Sequence, residues 1–157
     1  MCYFADMANQ KLRQITRVAA YGLVTRDRQI LLCRLSEKLP DCAGKWTLPG
    51  GGLAFGEDPA TAMVREVVEE TGLTVTPGAV AGIDSIVIHG EGTDHHGLRI
   101  IYHVQSFSGF LRDESDGTTD TCSWFWFDEA ERLPLVELAA IGIRLAREAY
   151  QKTSPGK

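Results

Sequence analysis

The chain has 157 residues, of which 44% are hydrophobic, and it carries a formal net charge of −5 at pH 7. This length suits one enzyme-sized domain with a substantial buried core, and it leaves no room for a second domain. The negative balance argues against a nucleic-acid-binding surface. It also means that local cations, rather than the overall field, must attract any anionic substrate.

The two ends of the chain set the expected domain boundaries. We expect a single domain over residues 14–152 and a flexible tail over residues 153–157. Residues 1–13 are expected either to be flexible or to add a strand to a partner, and the sequence does not decide between these alternatives. The start of the chain has no basic region followed by a sustained apolar run, so neither a secretion signal nor a membrane span is indicated.

Strands are predicted in the first third of the chain. Residues 15–24 and 29–34 are rich in apolar side chains and are expected to form a hairpin around the polar turn at residues 26–28. Residues 35–45 contain Pro40 and Gly44 and are expected to be a loop, and residues 46–48 are expected to be a short strand. Pro49 and the three glycines after it let the backbone turn sharply and approach a ligand without side-chain obstruction.

A helix is predicted between Asp58 and Gly72. The Asp58 side chain can accept hydrogen bonds from first-turn amides, and Pro59 at the first helical position loses no needed donor. Gly72 can adopt the left-handed conformation that ends a helix. A mostly apolar stripe at three- and four-residue spacing marks the expected buried face: Ala60, Met63, Val64, Val67 and Thr71.

Three carboxylates crowd within one turn of this helix. Glu66 and Glu70 are four residues apart and lie along one edge of the apolar stripe, with Glu69 one position further round. Like charges so close destabilise one another unless a cation neutralises them, and Mg²⁺ or Mn²⁺ prefers carboxylate oxygens. The alternative is a solvated acidic face on which Arg65 pairs with Glu69. The glycine turn just before the helix favours the cation site.

The stretch from Gly51 to Leu73 fills every specified position of the pattern G-x5-E-x7-R-E-U-x-E-E-x-G-U, in which U is a bulky apolar residue. These positions are Gly51, Glu57, Arg65, Glu66, Val67, Glu69, Glu70, Gly72 and Leu73. The segment resembles the Nudix box, and the flanking segments KWTLPGGG and WFWFDEAERLPL also resemble the Nudix hydrolase family. The resemblance extends from about residue 17 to about residue 135 and is MutT-like in kind.

The resemblance implies an enzyme that hydrolyses a nucleoside diphosphate linked to another moiety, by attack of water on a diphosphate phosphorus with Mg²⁺ or Mn²⁺ bound. It makes Glu66, Glu69 and Glu70 metal ligands, and the general base is one of them or a nearby carboxylate. It gives Glu57 a role in holding the loop or a further metal. Arg65 is expected to orient the glutamates.

Gly50 and Gly51 are predicted to bind substrate through the backbone that they present. Arg34, near the end of a strand leading toward the box, is a candidate phosphate contact, with a surface arginine as the equal alternative.

A mixed sheet between two long helices is expected from the remaining elements, which is the α/β/α sandwich that the resemblance also implies. Residues 79–88 and 98–107 are predicted to be strands, separated by a polar loop at residues 89–97 that can border a substrate. A strand at residues 121–127, a short helix at 128–132 and an amphipathic helix from 136 to about 150 are expected to follow.

A carboxylate outside the box often completes the metal or base set in the family that this chain resembles. The candidates are Asp113, Glu114, Asp116 and Asp120. Asp120 is the preferred metal ligand because it directly precedes the predicted strand that contains Trp124. A solvated acidic loop is the alternative.

Other polar and aromatic residues are expected to play no catalytic part. The four cysteines lack metal-site spacing and are interpreted as reduced thiols in a cytoplasmic protein. His95 and His96 are expected to lie on the surface. Trp124 and Trp126 share one strand face, where core packing is favoured over base stacking.

The substrate is predicted only by class. The chain lacks the additional motifs typical of several Nudix subfamilies, so a nucleoside triphosphate is the leading candidate, followed by ADP-ribose or another nucleotide sugar. A module that senses a nucleotide without hydrolysing it is the alternative from another functional class. The expected partner is a small-molecule nucleotide, with no membrane and no nucleic acid, and formation of a homodimer stays open.

Overall fold

The computed structural model describes residues 13–153, which form eight strands and three helices. In chain order they are β1 (Arg13–Leu23), β2 (Thr25–Arg26), β3 (Gln29–Leu35), β4 (Trp46–Thr47), β5 (Gly50–Gly52), α1 (Pro59–Thr71), β6 (Thr74–His89), β7 (Thr93–Ser108), β8 (Thr119–Trp126), α2 (Phe127–Ala130) and α3 (Glu137–Thr153). The predicted terminal segments fall outside this range except for Arg13, which begins β1, and Thr153, which ends α3. Of the three helices described here, none has the length and hydropathy needed to cross a lipid bilayer.

The strands form two sheets. The first has the order β5-β1-β7-β6, in which β1 and β7 are parallel and the other neighbours are antiparallel. The second is antiparallel, with β3 paired to β2, β4 and β8. The predicted mixed sheet of an α/β protein is therefore confirmed.

The residues of strand β3 show that helices α1 and α3 lie on opposite faces of this strand. Its alternate residues point to opposite faces. Leu31 and Cys33 belong to the apolar cluster that includes residues of α1, whereas Ile30 and Leu32 belong to the cluster that includes residues of α3. The two long helices thus pack on opposite faces, as the sandwich requires.

Helix α1 begins and ends where its sequence predicts. The Asp58 carboxylate accepts hydrogen bonds from the amides of Ala60 (2.9 Å) and Thr61 (3.2 Å). Gly72 ends the helix with φ 74°. These caps depend only on residues within one turn of each end, which is why the sequence predicts them well.

The hairpin predicted from residues 15–24 and 29–34 is only partly right, because the turn forms but most of the first strand does not pair with the second. Strand β1 pairs with β5 and β7 instead, and only the two-residue β2 forms the hairpin with β3. The chain passes from one sheet to the other at the buried Val24, and Asp27 turns it with φ 50°. A local apolar pattern identifies a strand but does not identify the strand's partner.

The loop predicted at residues 89–97 is too long, since only residues 90–92 lie between β6 and β7. β6 and β7 form one long hairpin in which His95 pairs with Ile88 and His96 with Val87. The start of β7 also pairs with the start of β1, over Arg13–Val18. These backbone hydrogen bonds hold the segment in a strand although its side chains are mostly polar. The histidines therefore lie on a strand.

The C-terminal elements match their predictions with shifted ends. β8 begins at Thr119, so Asp120 lies within the strand rather than before it. Helix α2 ends at Ala130, two residues earlier than predicted, and α3 extends to Thr153. Element ends are the part of a helix or strand that local sequence determines least.

Candidate active site

Glu70 connects helix α1 to the glycine turn. Its side chain is buried, with 4% of the residue exposed, and its Oε2 accepts a hydrogen bond from the Gly50 amide at 2.9 Å. Gly50 has φ 140°, a conformation that favours glycine. The sequence places Glu70 at the edge of the apolar stripe, and the fold buries it.

The pKa of Glu70 is raised to about 8, and burial is the largest cause. The neighbouring carboxylates of Glu66 and Glu114 add to this rise, while the Gly50 amide and the Cys33 thiol oppose it by hydrogen bonding. A buried carboxyl group with acidic neighbours and no cation beside it keeps its proton near neutral pH. Binding of a divalent cation would restore the charged form.

Glu66 lies against the next residue of the glycine turn. A Cβ atom added at Gly51 would lie 2.6 Å from the Glu66 carboxyl carbon, closer than any side chain permits. Gly51 therefore leaves the space that the Glu66 carboxylate occupies. Glu66 and Glu70 both contact β5, and they form the core of the candidate site.

Arg65 holds several of these groups in place. Its guanidinium donates to both oxygens of Glu57 at 2.9 Å, to Glu66 at 2.8 Å and to Glu69 at 3.3 Å. A further hydrogen bond reaches the carbonyl oxygen of Gly52 at 3.2 Å. One side chain thus joins the loop before α1 to the glutamates on α1. This is the geometry that an orienting role requires.

The sequence and fold can now be compared with those of known proteins. A NUDIX domain profile matches residues 15–145, most of the chain. The chain belongs to the NUDIX family. It is a pyrophosphohydrolase of that family, whose members hydrolyse a nucleoside diphosphate linked to another moiety.

Two curated relatives and one solved structure illustrate the likeness. The RNA pyrophosphohydrolase of Acidiphilium cryptum is 29% identical over 141 residues, which cover 83% of this chain and 82% of the relative. The ADP-ribose pyrophosphatase of Methanocaldococcus jannaschii is 35% identical over 111 residues, 71% of this chain and 63% of the relative. The MutT NUDIX hydrolase from Burkholderia pseudomallei superimposes with a TM-score of 0.72 at 27% identity, covering 83% of this chain and 98% of that one.

The remaining Nudix-box glutamates, Glu57 and Glu69, both contact Arg65. Glu57 uses both oxygens on Arg65, and one of them also accepts from the Ala54 amide at 2.8 Å. These contacts favour its role in holding the loop over its role as a ligand of a further metal. The Glu69 side chain is 50% exposed and contacts Arg65.

The Nudix carboxylates do not converge on one point. Among residues 13–153, no group of three His, Cys, Asp or Glu side chains lies close enough to hold a metal ion by itself. Mg²⁺ is typically bound by one or two carboxylates, with water molecules and substrate phosphate completing its coordination. Glu66 and Glu70 fit this smaller requirement.

Arg34 and Asp120, both predicted for the Nudix site, bind each other. The Arg34 guanidinium donates to the two oxygens of Asp120 at 2.8 and 3.2 Å, across the paired strands β3 and β8. The Arg34 guanidinium was expected to contact phosphate and the Asp120 carboxylate to bind metal, but here the two groups bind each other. Either residue would have to leave the other to take its predicted role.

Glu114 is the carboxylate outside the box that influences Glu70. It lies in the acidic loop before β8, and its Oε2 accepts a hydrogen bond from the buried Thr119 hydroxyl at 3.0 Å. The sequence identifies this loop and includes Glu114 among the candidates. It carries no local signal that ranks Glu114 above Asp120, because the path of an irregular loop is not periodic.

Other residues singled out by sequence lie away from the Nudix carboxylates or in the core. Cys33 and Cys122 are buried and free, and Cys42 is free; Cys2 lies outside the described residues. Trp124 packs beside Phe107 with 5.3 Å between ring centroids. Trp126 shares its strand face but is 48% exposed, so the core-packing prediction holds only for Trp124.

Proposed function

We propose that the protein is a divalent-metal-dependent hydrolase whose substrate is a nucleoside triphosphate or a related nucleotide. Water attacks a phosphorus of the diphosphate. The observation that carries this proposal is the buried Glu70 carboxyl group, held by the Gly50 amide beside Glu66 at the end of a glycine turn. Buried carboxyl groups with strongly shifted pKa values are concentrated at functional sites.

The residues that would hold Mg²⁺ or Mn²⁺ are Glu66 and Glu70, with Glu114 as a further candidate ligand. Their hard oxygen donors suit these ions, and a bound cation would offset the repulsion between carboxylates that helps to raise the pKa of Glu70. When bound, the ion would neutralise phosphate charge and lower the pKa of a water molecule.

The chain's own residues supply orientation and proton transfer. Arg65 holds the Glu66 carboxylate at a fixed position relative to the carbonyl oxygen of Gly52 on β5. Gly50 and Gly51 bring the backbone close to the substrate phosphates. Glu69, half-exposed and held by one hydrogen bond, has the freedom to accept a proton from the attacking water.

Two features support nucleoside triphosphates as the leading class. The chain lacks the additional motifs typical of several Nudix subfamilies, and it covers almost all of a MutT structure. ADP-ribose is the second candidate, favoured by the likeness to the ADP-ribose pyrophosphatase of Methanocaldococcus jannaschii. Arg34 and Asp120 remain candidate phosphate and metal contacts on condition that substrate separates them.

We also propose a reducing, cytoplasmic setting. Cys33 and Cys122 are directly opposite each other on β3 and β8, yet both are free thiols. Unlinked neighbouring cysteines are typical of proteins kept reduced by cytosolic thiols.

A hydrolysis screen in which the products are separated by chromatography tests the function. The wild-type protein is incubated with Mg²⁺ and a panel of nucleoside triphosphates, ADP-ribose and other nucleotide sugars, beside Glu70→Gln, Glu69→Gln and the control Glu148→Gln. Glu148 is an exposed glutamate on α3 that pairs with Arg144. We expect turnover by the wild type and the control, and a loss of at least about a hundredfold in the two box variants.

The same screen separates the alternatives. Preferred turnover of ADP-ribose would replace the leading substrate class, and nucleotide binding without turnover would favour the sensing module. Equal turnover by wild type and both box variants would refute the assignment of the site. Hydrolysis in isotopically labelled water then identifies the attacked phosphorus from the product that carries the label.

A further inference from the structure

The glycine turn has a second face that the carboxylates do not use. Gly51 and Gly52 are neighbours on β5, which is the edge strand of its sheet, and successive residues of a strand face opposite sides. Space at Gly51 is filled by the Glu66 carboxylate. Space at Gly52 is filled by the Arg17 guanidinium, because an added Cβ would lie 2.5 Å from its Nη2 and 2.8 Å from its Nε.

Arg17 is a cation without an acidic partner among residues 13–153. The arginines in ion pairs there are Arg28, Arg34, Arg65, Arg99, Arg144 and Arg147. Arg17 is exposed on β1 and makes none of these contacts. A guanidinium placed over a glycine backbone with no carboxylate is free to bind an anion that arrives from solution.

The neighbours of Arg17 place it beside the carboxylate site. Tyr21 lies on the same face of β1, and its pKa, which burial raises, responds to Arg17 as well as to Glu66 and Glu70. Arg99 is the other cation near Tyr21, but it is paired with Asp84. Arg17 is therefore the cation at this turn that a substrate can recruit without breaking an existing pair.

We propose that Arg17 binds a phosphate group of the substrate on the face of the glycine turn opposite Glu66. This inference rests on the proposed function, because it assumes a polyphosphate or diphosphate ligand. Such a ligand carries negative charge on successive phosphorus atoms, and one cation site on the carboxylate side neutralises only part of it. A chain of phosphates lying over the free edge of β5 meets the carboxylates on one side and the guanidinium on the other.

Steady-state kinetics tests the proposal, with the substrate that the screen identifies. Arg17→Ala is compared with Arg13→Ala, which removes the same charge from an exposed position on the same strand and face, about 13 Å away. We expect Arg17→Ala to raise KM about tenfold and to change kcat by less than about twofold. Arg17→Lys should recover part of the affinity, and Arg13→Ala should match the wild type.

A second variant displaces the guanidinium without removing its charge. Gly52→Ala places a Cβ where the Arg17 side chain now lies, and the flexible arginine moves aside. We expect the same rise in KM, and no further rise when Gly52→Ala is combined with Arg17→Ala, because both changes remove one contact. Additive effects, or an Arg17→Ala variant that behaves like Arg13→Ala, would overturn the proposal.

Calorimetric binding of inorganic pyrophosphate with Mg²⁺ makes the result independent of turnover. Weaker binding by Arg17→Ala than by Arg13→Ala supports the contact, and equal binding overturns it. A wild-type protein that hydrolyses no nucleotide would defeat the proposed function, whereas normal turnover with an unaffected Arg17→Ala variant would defeat only this inference.

Discussion

Glu57 and Arg65 form a two-pronged contact in which Nε and Nη2 of the arginine each donate to one carboxylate oxygen at 2.9 Å. The Arg65 hydrogen bonds lower the pKa of Glu57 to about 2, and the Ala54 amide adds to this effect. The pair therefore stays charged at any ordinary assay pH. It connects the loop before α1 to the arginine that also contacts Glu66.

We expect Glu57→Gln to lower kcat/KM by about tenfold to a hundredfold, because small displacements of the groups around a reacting centre are costly. The fold should persist, since Glu57 lies in the loop before α1 and outside both apolar clusters. Kinetics and thermal unfolding are measured together, with Glu148→Gln as the control. Unchanged kinetics would mean that Arg65 keeps its position without Glu57.

The raised pKa of Glu70 implies that the stability of the folded protein depends on pH. Its pKa is about 8 in the folded protein against 4.5 for a free glutamate, so the folded state keeps a proton that the unfolded state has lost between these values. The free energy of unfolding should therefore fall as pH rises from 4.5 to about 8. Chemical unfolding across this range measures the slope.

Two further measurements assign that slope to Glu70. The Glu70→Gln variant should lose it, because glutamine does not titrate. Added Mg²⁺ should restore stability most at the alkaline end, where binding no longer competes with the proton. The same slope in Glu70→Gln and in the wild type would point to another titrating group.

Gly51→Ala should affect catalysis rather than substrate affinity. The new Cβ would take the place of the Glu66 carboxylate, at 2.6 Å from its carbon. We expect kcat to fall by at least about tenfold because Glu66 is forced from its position. The comparison with Gly52→Ala, which faces Arg17, is informative: a loss confined to KM in both variants would contradict the separate roles of the two faces.

Glu114 and Asp120 compete for the role of the carboxylate outside the box. Glu114 acts on the pKa of Glu70, whereas Asp120 is bound to Arg34. We expect Glu114→Gln to lower turnover about tenfold or more, and Asp120→Asn to have a much smaller effect. Activities are compared at several Mg²⁺ concentrations. The opposite ranking would restore the choice made from sequence.

Gly142 on α3 packs against the segment that leads into the glycine turn, and a larger residue there should destabilise the fold. A Cβ there would lie 2.6 and 2.7 Å from the two methyl groups of Leu48, the buried residue just before Pro49. We expect Gly142→Ala to destabilise the fold by about 1–3 kcal/mol through overpacking. Denaturant unfolding measures this loss. Combining it with Leu48→Val should cost less than the sum of the single changes, and strict additivity would exclude the contact.

Local chemistry determined the parts of this protein that were predicted correctly. The start and end of α1 follow from Asp58, Pro59 and Gly72, which act within one helical turn. The spacing of Glu66, Glu69 and Glu70 likewise places them on neighbouring positions of one helix. Family membership followed from the same segment, and the NUDIX match confirmed it.

The tertiary structure decided what depends on residues distant in sequence. The burial of Glu70 requires the glycine turn and β3 to close over α1, and the pairing of β1 with β7 joins segments about eighty residues apart. The position of Glu114 depends on an irregular loop. The environment of Arg17 depends on an edge strand placed beside it. Such contacts depend on the packing of the whole chain. A local sequence pattern can therefore identify candidate residues, but it does not determine which of them are in contact.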